Sequence, residues 1–131
     1  MTKDDWLELT VLERKKYNYL VELQDLTGQL AENLDRGDQV SVRMLVAMRQ
    51  EPLLQLQGLK QAAAVKEESL SAEDRERVSA LARGAAPQGE EETTYHNQAG
   101  AARRLLERIV ELDKRLNRRL AGEKSFYSQD K

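Results

Sequence analysis

The chain has 131 residues, 34% of them charged and 5% aromatic, with two Pro, one Phe, no Cys and a formal net charge of −2. The length suits one domain with a modest core, and the near-balanced charge provides no bulk field for nucleic acid or an anionic membrane. The lack of Cys excludes disulfides and thiolate chemistry and leaves the cytosol as the default compartment. Leu, Ala, Glu, Arg and Gln are abundant, a palette that forms long amphipathic helices rather than sheet.

In the first 30 residues Asp4, Asp5, Glu8 and Glu13 interrupt the apolar positions, unlike a signal peptide. No run of about 18 apolar residues suits a membrane span. From Asp4 to Arg36 there is no Pro and one Gly. Leu9, Leu12, Tyr19, Leu23, Leu26 and Leu30 step by threes and fours, with Lys16 and Asn33 in the remaining core slots and Leu20 and Leu34 widening the stripe. This predicts a helix over 4–36, about 48 Å long.

Arg36-Gly37-Asp38 spells an adhesion tripeptide, but its setting is that of a turn. Gly37 follows a leucine-rich helix, where a residue able to take φ > 0 ends it cheaply. Asp38 precedes "VSVRMLVAM", where a carboxylate caps the next helix. No disulfide-held loop displays the tripeptide.

The second helix is expected over 39–68, on Val42, Leu45, Leu56, Leu59 and Ala63. Arg49 and Pro52 interrupt its stripe, and Pro52 predicts a kink near 48–52 because it cannot donate its backbone bond. "LSAEDRERVSALARG" predicts a short helix over 72–83, capped by Ser71 and stopped by Gly84. Gly, Pro and acid content makes 84–93 a mobile linker. A fourth helix is expected over 94–120, and the tail 122–131 is expected to fray.

Little in the chain suggests chemistry. His96 is the sole His, so a His-based metal or nucleophile site would rest on one imidazole. The run Glu90-Glu91-Glu92 reads as a solvated acidic segment rather than the shaped oxygen cage a hard cation needs. Lys16 and Arg49 fall on core slots, as the inward cations of a small helical enzyme would. The set of inward Arg, Lys, Glu and Gln that such a pocket needs is missing, and snorkelling of their stems is the simpler reading. No enzyme activity, metal or cofactor is expected.

The fourth helix is more informative. Its stripe is Tyr95, Ala99, Ala102, Leu105, Ile109, Leu112 and Leu116. With Leu106, Val110 and Leu120 the apolar arc reaches about 160°, more than one helix seam uses. Arg104, Arg108, Arg115 and Arg119 lie beside it, with Asp25 and Glu32 as candidate partners holding this helix on its neighbours. Glu107, Glu111 and Asp113 dilute the row, which disfavours nucleic acid.

A long first helix, a Gly-Asp turn at 37–38, and a second helix with leucines in "VRMLVAMRQEPLLQLQGL" together resemble the flagellar export chaperones of the FlgN/FliT type. The likeness spans roughly residues 5–120 and rests on leucine spacing and one turn; Pro52 departs from the unbroken second helix of that family. The resemblance implies a small cytoplasmic bacterial protein without catalysis. It would bind the helical C-terminal segment of a late export substrate, a hook–filament junction protein or the filament cap. It would prevent premature assembly and hand the segment to the export apparatus.

In that family the last helical region is associated with substrate, which points here to Leu105, Leu106, Ile109, Val110, Leu112 and Leu116 as partner-binding residues. The expected fold is an all-α, elongated antiparallel bundle of three long helices plus one short helix, monomeric or weakly dimeric. The alternative is a coiled-coil structural or adaptor subunit of an obligate oligomer.

Overall fold

Thr2 opens the first helix with a capping box: its hydroxyl accepts from the Asp5 amide at 3.1 Å, and the Asp5 carboxylate accepts from the Thr2 amide at 2.9 Å. The structure, a computed structural model, describes the backbone of residues 1–129 and the side chains of residues 1–121. Among the described residues five helices and no strand are found: α1 (Lys3–Arg36), α2 (Gln39–Met48), α3 (Gln50–Glu68), α4 (Ala72–Ala82) and α5 (Gly89–Gln129). The fold is an all-α helical bundle.

α1 ends at Gly37, whose φ of 71° lies in the left-handed region. The Gly37 and Asp38 amides donate to the Leu34 and Asn33 carbonyls, satisfying groups the helix end leaves open. The Asp38 carboxylate then accepts from the Ser41 amide and hydroxyl at 3.0 and 2.6 Å and caps α2. Gly37→Val should lower stability by about 1–3 kcal/mol, because a β-branched residue is strained at this φ. Asp38→Ala should lower it by only ~1 kcal/mol. Urea melts of the two variants rank them, and equal midpoints would contradict the ranking.

The segment expected as one helix over 39–68 is divided at Arg49. Pro52 has no N–H for the Met48 carbonyl, yet it fits the first turn of α3, where helix amides have no intrahelical partner. The bonding resumes with the Leu53 amide on the Arg49 carbonyl at 3.3 Å. Pro52 is buried, so its ring is also part of the packing.

Ser71 caps α4 by accepting from the Asp74 amide. Gly84, at φ 114°, turns the chain after it. The next helix begins at Gly89, five residues before Thr94, so the expected mobile linker 84–93 shrinks to 84–88. The cause is electrostatic. Glu90, Glu91 and Glu92 fall in the first turn of α5, where carboxylates favour the helix dipole. Glu92 accepts the Gln88 amide at 3.0 Å and Arg77 Nε at 3.1 Å. Arg77 also donates to the Ala86 carbonyl, and Arg103 donates to that of Ala82 at 2.7 Å, so the connection is held at both ends. α5 runs to Gln129, past the expected stop at 120, because a lone Gly122 weakens a helix by only ~1 kcal/mol. The side chains of the tail expected to fray, 122–131, lie outside the described residues.

α1 rises, α2 and α3 return along it, α4 turns at the base, and α5 rises parallel to α1. Lys66 at the end of α3 meets Asp5 at 2.6 Å and Glu8 at 2.9 Å at the start of α1. The Lys66 ammonium, with the Thr2 amide, holds the Asp5 carboxyl down at about 2. The stability this adds is present above pH 3.8 and is lost as pH falls through about 2.

The core is a stack of three layers along the α1–α5 seam. At the base Trp6 and Leu9 pack with Val78, Leu81, Tyr95 and Ala99. In the middle Leu20 and Leu23 pack with Ala102, Leu105 and Ile109. At the top Leu26 and Leu30 pack with Leu45 and Leu116.

Candidate functional site

The α1 positions facing the core run Trp6, Leu9, Glu13, Lys16, Leu20, Leu23, Thr27 and Leu30, at three-four steps. The expected stripe of Leu9, Leu12, Tyr19, Leu23, Leu26 and Leu30, with Lys16 in a core slot and Leu20 widening it, left out Trp6, Glu13 and Thr27. Leu12 and Tyr19 are half-buried on its flank, while Trp6, Leu20 and Thr27 are buried. Thr27 satisfies its hydroxyl on the Leu23 carbonyl at 2.7 Å. Glu13 and Lys16 have no such local solution, and no apolar layer forms between the base and middle layers.

The third layer of helices leaves the same region uncovered. α4 reaches along α5 as far as Arg103. α2 meets α5 again at Leu116, and Arg49 at the α2–α3 break pairs with Asp113. Between these points α3 packs along α1 rather than α5. A groove of about 480 Å³ results. Leu12, Glu13, Lys16 and Leu20 form its floor, Leu56, Leu59 and Ala63 one wall, and Leu106 the other.

Glu13 is the strained group in this groove. Its Oε2 is buried without a hydrogen-bond partner among the described residues, and Lys16 Nζ lies 4.0 Å away. Burial pushes its carboxyl above the usual 4.5; Lys16 opposes the shift and Glu67 adds to it. A raised folded-state pKa means that ionised Glu13 opposes folding at neutral pH, and that this opposition disappears once both states are protonated. Glu13→Gln should therefore raise the melting temperature at pH 7, with the gain vanishing below pH 4.5. Melts at pH 7 and pH 3.5 (about one unit below that value) check the sign. A variant less stable at pH 7 would contradict it.

The six α5 residues expected to bind a partner separate into two groups. Leu105, Ile109 and Leu116 are 2%, 2% and 3% exposed and belong to the core layers, and Leu112 is half-buried. Leu105, Ile109 and Leu116 offer no surface, because α1 and α2 cover them, whereas Leu112 lines a shallow hollow beside Arg104, Arg108 and Arg115. Leu106 and Val110 are 38% and 42% exposed, one turn apart, on the flank beside the groove.

The arginine row is also corrected. Arg119 pairs with Asp35 at 2.7 Å rather than with Asp25 or Glu32. Arg104, Arg108 and Arg115 are exposed and have no ion pair among the described residues. They lie on the α5 side turned away from Leu106, beside Glu107 and Glu111 of the same helix.

Of the inward cations, Arg49 does not snorkel to solvent: its guanidinium meets both Asp113 oxygens at 2.7 and 2.8 Å. His96 Nδ1 sits 3.2 Å from the Leu81 carbonyl, tying α5 to α4. Glu91 approaches Lys3 and Glu92 is taken by Arg77, so the acidic run points to different partners. The Arg77 guanidinium holds the Glu92 carboxyl below its usual value. Among the described residues no three His, Asp or Glu converge on a common point, and no helix is long and apolar enough to cross a membrane.

Sequence reasoning placed Leu56, Leu59 and Ala63 on the second helix's stripe and Leu12, Lys16 and Leu20 on the first's, but did not bring them together as one groove. Two adjacent charged residues, Glu13 and Lys16, in an otherwise apolar inward register were the available signal. No protein-family model, curated protein or solved structure matches this chain.

Proposed function

We propose that the chain is a non-catalytic binding module of the flagellar export chaperone type. It takes the helical C-terminal segment of a late export substrate, a hook–filament junction protein or the filament cap, against the groove between α3 and α5. It keeps that segment from assembling early in the cytoplasm. The observation that carries this reading is the pair Leu106 and Val110, large apolar side chains 38% and 42% exposed at i, i+4 spacing beside an apolar-walled groove. A partner helix is held by anchors at such spacing. The resemblance of residues 5–120 to these chaperones supports the same role.

Calorimetric titration with C-terminal peptides of candidate flagellar substrates tests the reading. The intact protein should bind at tens of micromolar or tighter, near −6 kcal/mol. Leu106→Asp and Val110→Asp should abolish the heat signal while leaving helicity and melting nearly unchanged. Unfolding of Leu106→Asp would make that residue core and misplace the site. A wild-type protein that binds none of these peptides and has no folded monomer on dilution would favour the obligate coiled-coil subunit instead.

A further inference from the structure

The outer face of α2 and the start of α3 carries an apolar stripe that no helix of this chain covers. Arg43, Met44, Ala47, Glu51, Leu54 and Val40 fall within about 100° of arc at 100° per residue. Arg49, between the two helices, keeps helical angles, φ −66° and ψ −19°, so the stripe continues across the break. The opposite side of the same segment is the packed one: Leu45 and Pro52 are buried there and Arg49 pairs with Asp113. On the outer side Val40 is 79% exposed, Met44 56% and Leu54 62%. An apolar face of this kind is atypical for a surface helix, whose outward side is normally charged or polar.

The order of residues along the stripe identifies what it fits. Arg43 and Glu51 lie four residues either side of Ala47, and Val40 and Leu54 lie seven either side. About Ala47 these four positions are therefore complementary when reversed, while Met44 falls opposite Gln50. We infer that this face binds a second copy of the chain, α2 against α2, antiparallel about a two-fold axis through Ala47.

In that arrangement Arg43 of each copy meets Glu51 of the other, twice, and Val40 meets Leu54, twice. A two-fold interface requires this reciprocity, residue i on j and j on i. Ala47 on the axis, the smallest side chain of the stripe, lets the two helices approach. Neither charge is engaged elsewhere by an ion pair among the described residues; Glu51 accepts only the Gln55 amide at 3.0 Å. Within one chain the two charges are too far apart along the helix to pair, since side chains three or four residues apart are the ones that meet. The apolar contacts supply the attraction and the ion pairs set the register. The stripe is about 21 Å long. One pair of short helices buries less than the roughly 800 Å² per partner of a standard stable interface, so the dimer is weak, forming between about 10 µM and 1 mM.

Sedimentation equilibrium across that range tests the inference with charge reversals at two exposed positions. Wild type should show a monomer–dimer equilibrium. Arg43→Glu alone, or Glu51→Arg alone, places like charges opposite each other at both contacts and should weaken the dimer at least about tenfold. The double variant Arg43→Glu/Glu51→Arg should restore it. As a second readout, Ala47→Cys creates the sole thiol of the chain and should oxidise to a disulfide-linked dimer much faster than Gln61→Cys, which lies outside the paired segment. A wild type monomeric throughout, single reversals without effect, a double variant no better than the singles, or equal cross-linking at 47 and 61 would each overturn it.

Discussion

Leu105→Ala should lower the unfolding free energy by an amount in the upper part of about 2–5 kcal/mol, more than Leu20→Ala at the same layer. Both side chains are almost fully buried, at 2% and 1% exposure, and both pack with Leu23, Ala102 and Ile109. They differ in what lies behind them. Leu20 also lines the groove between α1, α3 and α5, so truncating it enlarges a space already open to water. Leu105 sits inside the α1–α5 seam, and its removal leaves a closed void. The rigid backbones of two long helices cannot collapse to fill that void, and the lost contacts add to the lost transfer energy. Denaturant titrations of the two variants give the comparison. Equal losses, or a larger loss for Leu20→Ala, would mean that the groove is closed off from the middle layer.

Trp6→Ala should lower stability by about 3–5 kcal/mol and should release α4 first. Trp6 is 8% exposed and its ring lies 5.6 Å from that of Tyr95 at an interplanar angle of 49°, a tilted aromatic contact. Val78 and Leu81, the two buried residues of α4, belong to this layer and to no other. α4 has 11 residues, too short to persist as a helix without packing. Its remaining ties are polar: the N-terminal ammonium to Asp74 at 3.6 Å, Arg77 to Glu92, His96 to the Leu81 carbonyl and Arg103 to the Ala82 carbonyl. Amide hydrogen exchange should therefore show α4 losing protection in Trp6→Ala while the middle of α1 keeps its own. Uniform loss across α1 and α4 would show that the base layer and the rest of the bundle open as one unit.

Both predictions concern residues the sequence treated unequally. Leu105 was on the expected stripe of the last long helix, and five of the stripe's other members, Tyr95, Ala99, Ala102, Ile109 and Leu116, are also buried. Trp6 was not on the expected stripe of the first helix, although it stands three residues before Leu9 in the same register. The partner-binding residues taken from the family resemblance suffered from the same ambiguity. A stripe shows which face is apolar, and the core claimed Leu105, Ile109 and Leu116 from it, while Leu106 and Val110 at its edge were left to solvent.

Sequence by itself determined the all-helical class, the turn at Gly37 and Asp38, the cap at Ser71 and an interruption near Pro52. Each of these depends on forces acting within one or two turns of chain: the φ open to glycine, a carboxylate or hydroxyl reaching a nearby amide, and the missing donor of proline. Periodicity also showed that the long helices bury one side. Tertiary structure alone decided which neighbour covers which part of that side. α1 serves α5 and the α2–α3 arm at once, so its apolar positions divide between two interfaces, and Leu12 and Tyr19 end at the boundary. The groove exists because α4 is short, α2 rejoins α5 only at Leu116, and α3 follows α1 between them. Burial is a property of pairs of surfaces, and a repeat along one helix carries no information about the length or path of the helix that will cover it.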